Sequence, residues 1–117
     1  MNIIKNSYEA VVKLLIILAY ADSDYSDLEQ VFIQKVCDKT GINNNILQDI
    51  TNEIKNSSNS LSKDCRETIQ LIRDKRLQNE TIELLSDLIA TDHVIHENEL
   101  LFLQLIAKEW NMYRETL

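Results

Sequence analysis

Hydrophobic residues in this chain recur every three or four positions, which is the period of an amphipathic α-helix. This pattern predicts helices over about 7–21, 26–40, 44–55, 62–75, 77–91 and 97–113. The chain of 117 residues contains one glycine and no proline. Because hairpin turns repeatedly need residues with positive φ, this composition disfavours a β-sandwich or a β-barrel. We therefore expect one all-α domain of about six helices, formed by residues 1–117.

The apolar faces of these helices predict a single common core, with the first helix near its centre. The residues expected in that core are Leu14, Leu15, Leu18, Phe32, Leu84, Leu85, Leu88, Phe102 and Ile106. Leu28 is expected on the same apolar face of the second helix as Phe32. Cys37 and Cys65 lie inside helical patterns without CxxC spacing, which favours reduced, buried thiols and leaves a single disulfide as the alternative.

Local signals indicate where the second helix begins and ends. Ser26 is followed three positions later by Glu29, which is the spacing of a capping box. In that motif the serine oxygen accepts from the glutamate amide and the glutamate side chain accepts from the serine amide. Gly41, the only glycine, suits the left-handed position that follows a helix.

The two halves of the chain match each other at an offset of 70 residues. Residues 14–42 and 84–112 share seven identities, where about two are expected by chance. The identical pairs are Leu14/Leu84, Leu15/Leu85, Leu18/Leu88, Asp22/Asp92, Glu29/Glu99, Phe32/Phe102 and Gln34/Gln104. The repeat predicts two helical hairpins that pack as a pseudo-symmetric pair.

The turns of the repeat carry a recognisable motif. Residues 21–29 read ADSDYSDLE and residues 90–99 read ATDHVIHENE. Both segments resemble the twin A-D-G-x-[IV]-x-x-x-E elements of TerB-like domains, a family of tellurite-resistance proteins that also includes the helical segment of the DnaJ-like co-chaperone DjlA. The resemblance implies a helical, non-enzymatic module of a bacterial stress or defence pathway. Ser23 and His93 stand where the family has glycine.

The acidic turns are the candidate functional site. Asp22 and Asp92 are expected at the C-terminal ends of helices, where the macrodipole disfavours negative charge by ~0.3–1 kcal/mol. Amides of the next helix, through reciprocal capping, or a bound positive charge would compensate. We predict that a protein partner binds there. The predicted partner-binding residues are Asp22, Asp24, Asp27, Glu29, Asp92, His93, His96, Glu97 and Glu99.

The alternative hypothesis for the same turns is a divalent-cation sensor. Its predicted ligands are Asp22, Asp24, Glu29, Asp92 and Glu99. The spacing of Asp22, Asp24 and Ser26 copies the start of an EF-hand loop, but Asp27 replaces the loop's glycine and Ile33 its bidentate glutamate. An EF-hand is therefore excluded. His93 and His96, with Asp92 and Glu99, are a further candidate set for a transition metal. The absent glycines and bidentate ligand favour a basic protein partner over a tight cation site.

Other classes of function receive little support. The net charge of −7 disfavours nucleic-acid binding dominated by phosphate contacts. Residues 11–21, VVKLLIILAYA, imitate a signal peptide. However, Lys13 interrupts the apolar run, and the run is too short to span a bilayer. The segment also has a helical counterpart in the second half of the chain. No glycine-rich phosphate loop or HExxH motif is present. We expect a cytoplasmic, non-enzymatic protein that is not inserted in a membrane, and the oligomeric state stays open.

Overall fold

A computed structural model of the chain describes residues 3–21, 25–91 and 97–111. These residues form six α-helices and no strand, which confirms the predicted all-α class. The helices are α1 Ile3–Tyr20, α2 Asp27–Thr40, α3 Asn44–Lys55, α4 Leu61–Ile69, α5 Lys75–Ala90 and α6 Glu97–Glu109.

The first helix lies at the centre of the fold. α1 packs against each of the other five helices. Every residue from Ala10 to Ala19 is buried except Lys13, whose Nζ lies 2.7 Å from Glu53 Oε1. A helix that is apolar on all sides has to be enclosed by protein or by lipid. Here five helices enclose it, and none of the described helices is long and apolar enough to cross a membrane.

Side-chain caps fix where the helices begin. The predicted capping box is confirmed: Ser26 Oγ accepts from the Glu29 amide at 3.2 Å, and Glu29 Oε1 accepts from the Ser26 amide at 3.0 Å. Asn43 and Ser60 cap α3 and α4 through side-chain oxygens that accept from the Ile46 and Lys63 amides. Gly41 follows α2 with a φ of 77°, a left-handed conformation that costs an L side chain energy, so the predicted helix stop is confirmed as well.

Several predicted helix ends are wrong. α4 ends at Ile69 rather than near Lys75, because Asp74 is extended and accepts from the Leu77 amide at 3.2 Å as the N-cap of α5. A helix cannot continue through the residue that caps the next one. α5 therefore begins at Lys75 instead of 77. Two further helix ends differ from the prediction: α1 begins at Ile3 instead of 7, and α6 ends at Glu109 instead of 113.

The predicted core is correct in its larger part. Six of its members are buried: Leu14, Leu15, Leu18, Leu85, Leu88 and Ile106. Phe32, Leu84 and Phe102 are partly buried and pack against the edge of this core instead of lying inside it.

Leu28 departs furthest from the expectation, since it is 54% exposed. α2 buries Glu29, Ile33, Val36 and Cys37, a stripe one position away from the predicted face, and this rotation leaves Leu28 in solvent.

Both thiols are free and buried, which confirms the expectation of reduced core cysteines. Burial, with a further contribution from Asp38, raises the pKa of Cys37 to about 11. Burial raises the pKa of Cys65 to about 12, and the nearby Arg66 lowers it only in part. Both groups are therefore protonated at neutral pH.

Candidate interaction site at the paired turns

The sequence repeat extends to the ends of the helices. α1 ends at Tyr20 and α5 ends at Ala90, and α2 begins at Asp27 where α6 begins at Glu97. Each pair is separated by the same 70 positions as the sequence repeat. The two helical hairpins therefore leave their first helix and enter their second helix at equivalent residues.

The backbone also leaves α1 and α5 in the same way. The amide of Ala21 donates to the Leu18 carbonyl at 3.1 Å, and the amide of Thr91 donates to the Leu88 carbonyl at 3.1 Å. In both hydrogen bonds the amide of one residue donates to the carbonyl three residues earlier, which tightens the last turn of the helix. The equivalence of the two hairpins therefore extends to Ala21 and Thr91.

One hydrogen bond joins the two hairpins. Asn98, the second residue of α6, donates through Nδ2 to the carbonyl oxygen of Ala21 at 3.2 Å. Ala21 follows α1, and α2 begins at Asp27, six residues later. Because six residues reach at most about 20 Å, the N-termini of α2 and α6 lie at the same end of the fold.

The predicted acidic residues divide into two kinds at this end. Asp27 and Glu97, the first residues of α2 and α6, are exposed to solvent. Glu29 and Glu99, two positions further along the same helices, are buried. The exposed pair is free to meet a partner in solution, whereas the buried pair belongs to the interior of the fold.

The environment of Glu29 is that of a structural carboxylate. Its Oε1 accepts from the Ser26 amide within the capping box. Burial chiefly, and then the nearby Tyr20, Cys37 and Glu29, raise the pKa of Tyr25 well above its usual value. Tyr25 is therefore a neutral phenol at physiological pH.

The remaining predicted site residues are not tested. Asp22, Asp24, Asp92, His93 and His96 lie outside the described residues. Within 3–21, 25–91 and 97–111, no group of three or more His, Cys, Asp or Glu side chains is placed to hold a metal ion. The divalent-cation site stays a prediction.

Sequence reasoning missed two aliphatic residues of this end. Val31 and Leu101 are 52% and 55% exposed, and they are equivalent in the repeat. Each lies four residues, about one helical turn, after the exposed acid that begins its helix, Asp27 or Glu97. The offset of 70 already pairs them in the sequence, but only the structure shows that they face solvent.

Asn98 was also missed, because its counterpart in the repeat is Leu28 and nothing in the sequence marks it as a link between hairpins.

Comparison of the chain with family models, with curated proteins and with solved structures gives no match. The candidate site is therefore interpreted from its own residues.

Proposed function

We propose that this chain is a non-enzymatic interaction module that binds a basic protein partner through its two paired turns. The observation that carries the proposal is the hydrogen bond from Asn98 to the Ala21 carbonyl. It brings the two halves of the acidic repeat to one end of the fold, so that a single partner can contact both.

Charge supports a basic partner. The chain carries a net charge of −7, and the exposed carboxylates of Asp27 and Glu97 lie at the joined end. Complementary charge accelerates encounter and rejects partners of the wrong sign. Both residues are at the first position of their helices, where the macrodipole favours negative charge.

Apolar contact is available beside these acids. Val31 and Leu101 each expose about half of their surface one helical turn from an exposed carboxylate. Interfaces commonly combine an apolar centre with a polar rim. The partner we propose is therefore a basic segment that also presents aliphatic or aromatic side chains.

The resemblance of the turns to TerB-like domains extends the proposal to a biological setting. We propose a role in a bacterial stress or defence pathway in the cytoplasm, as that resemblance implies. The divalent-cation sensor is the second hypothesis for the same turns, and no contact among the described residues favours it.

A pull-down from the native host with tagged chain tests the proposal. The variant Asp27→Asn with Glu97→Gln removes two exposed negative charges from the joined end. The control variant Glu67→Gln with Glu80→Gln removes two exposed negative charges from α4 and from the N-terminal half of α5. We expect the captured protein to be lost with the first variant and retained with the second. Equal capture by both variants would contradict the proposal.

A further inference from the structure

A polar groove lies between α2 and α3, both of which pack against α1. Its volume is about 350 Å³, and half of the residues that line it are carboxamides: Gln30, Gln34, Asn44, Gln48 and Asn52. Among the described residues that line the groove there is no carboxylate, although the chain as a whole is strongly acidic. Of the lining residues that the structure describes, Lys55 alone is charged.

The carboxamides form two facing rows. Those on α2 are four residues apart, and those on α3 recur at the same spacing, so each row follows one side of its helix. Gln34 Nε2 donates to Asn44 Oδ1 at 3.0 Å and joins the two rows near the turn between the helices. The exposed side chains of Gln48 and Asn52 make no hydrogen bond with the part of the chain that the structure describes, so both can bind a ligand.

Two tyrosines line the groove together with these rows. The rings of Tyr20 and Tyr25 pack edge to face, with centroids 5.1 Å apart and planes at 71°. Both rings are partly buried against the core. They form an aromatic wall that is fixed before any ligand arrives, which lowers the entropic cost of binding.

A smaller apolar cavity adjoins the groove. This second cavity has a volume of about 310 Å³ and is lined by Tyr20, Ile54, Lys55 and Leu61. Tyr20 and Lys55 line both cavities, so the carboxamide rows lead past the lysine to an apolar end. A ligand that fills both cavities must combine polar groups along its length with one apolar group.

An extended peptide has this combination of groups. A carboxamide side chain both donates and accepts hydrogen bonds, as each peptide unit does. A peptide in an extended conformation leaves its backbone groups unpaired and presents them to such side chains. A saccharide would pair with the same carboxamides, but it would leave the apolar cavity unfilled.

We propose that this groove is a second binding site, which takes an extended peptide segment with one apolar side chain and an adjacent acidic residue. The apolar side chain enters the cavity between Ile54 and Leu61. The acidic residue lies beside Lys55. The partner of the groove is thus opposite in charge to the partner proposed for the paired turns, and the groove adjoins the first of those turns through Tyr20 and Tyr25.

Selection from a library of random heptapeptides displayed on phage, with the full chain immobilised, tests this proposal. We expect enrichment of peptides that carry a large apolar residue next to Asp or Glu and few basic residues. The most enriched sequence, synthesised with a fluorescent label, then serves as the probe in anisotropy titrations. Failure to enrich this class of peptide would overturn the proposal.

Matched variants locate the binding site of that probe. Gln48→Ala with Asn52→Ala removes two exposed carboxamides of the groove, and Asn45→Ala with Gln104→Ala removes two exposed carboxamides elsewhere. We expect the groove variant to weaken the Kd of the probe by about tenfold or more and the control to leave it unchanged. All four side chains are exposed, so both variants should keep the thermal unfolding temperature.

Charge reversal supplies the second measurement. Lys55→Glu should turn the preference of the groove away from acidic peptides, because the cation among its described lining residues becomes an anion. If the probe binds the groove variant as tightly as the wild type, or if Lys55→Glu leaves its Kd unchanged, the proposal is overturned. Binding to a saccharide array in place of the peptide library would likewise overturn it.

Discussion

Glu29 and Glu99 lie 70 residues apart in the chain, occupy the third position of α2 and α6, and are only 2% and 1% exposed. Burying a carboxylate is costly unless hydrogen bonds or charges compensate it. For Glu29 the Ser26 amide supplies one such bond at 3.0 Å. Glu29 therefore has a structural role in its turn, and we propose that the exposed acids Asp27 and Glu97 contact a partner.

Removing the Glu29 side chain should destabilise the fold. Glu29→Ala leaves the buried end of α2 without its capping acceptor, and we expect it to lower the free energy of unfolding by about 1–3 kcal/mol. Glu29→Gln keeps a side-chain oxygen that accepts from Ser26 and should cost less. Urea denaturation measures both, with exposed Glu67→Ala as the control that changes stability little. A Glu29→Ala variant as stable as the control would show that the capping box contributes nothing.

The core should respond according to burial and not to side-chain size. Leu15 and Leu85 are both fully buried, so replacing either with alanine should cost ~2–5 kcal/mol. Phe32 and Phe102 lie at the edge of the core, and Phe→Ala there should fall below the ~3–5 kcal/mol typical of a buried phenylalanine. Chemical denaturation of the four single variants gives the order. Phenylalanine variants less stable than the leucine variants would contradict this account of the core.

Because both thiols are buried, we expect the fold to lose stability at alkaline pH. The pKa values of Cys37 and Cys65 are about 11 and about 12 in the folded chain, above the ordinary value of 9.0. Above pH 9 the unfolded chain therefore loses its thiol protons before the folded chain does. The free energy of unfolding should fall as pH rises from about 9 to about 12, and below pH 9 these groups should have no effect.

The variant Cys37→Ala with Cys65→Ala should reduce that alkaline slope, and Tyr25, whose pKa burial also raises, should account for part of what remains. In the wild type at pH 7, a thiol reagent should label the folded chain only as fast as it opens, because both thiols are buried and protonated. Rapid labelling of both cysteines without unfolding would contradict their placement.

Divalent cations should leave the thermal unfolding temperature unchanged if the turns serve a basic protein partner alone. A ligand that binds only the folded state raises stability by mass action, by ~2.7 kcal/mol at 100 times its Kd. Calcium, magnesium and zinc at millimolar concentration should each be compared with a chelator control. A clear rise with one of them would favour the cation-sensor hypothesis instead.

Local signals in the sequence were sufficient for much of the fold. The capping box at Ser26 and the helix stop at Gly41 are set by residues a few positions apart, so their chemistry can be read directly. The same holds for the bounds of α3 and for the burial of the cysteines within apolar helix faces. The end of α4 was missed because Asp74 also fits a helical pattern, and only the competing start of α5 decides its role.

Features that depend on distant packing could not be predicted. Whether Leu28 or Ile33 faces the core depends on how α2 is rotated about its axis against α1. A rotation equivalent to one residue is enough to exchange them. The hydrogen bond between Asn98 and Ala21 joins residues 77 positions apart and has no counterpart in the other hairpin. The sequence contains one signal of the carboxamide groove, which is the four-residue spacing of Gln30 with Gln34 and of Asn44 with Gln48. That the two rows face each other depends on tertiary packing and cannot be predicted from this spacing.

The most direct test of the central claim is the affinity of the purified partner, once captured, for the chain with and without its exposed turn acids. Isothermal titration calorimetry should compare the wild type, Asp27→Asn with Glu97→Gln, and the control Glu67→Gln with Glu80→Gln at equal ionic strength. We predict that the turn variant binds at least about tenfold more weakly, while the control binds as the wild type does and all three unfold at the same temperature. Wild-type affinity in the turn variant would contradict the claim that the paired turns recognise the partner.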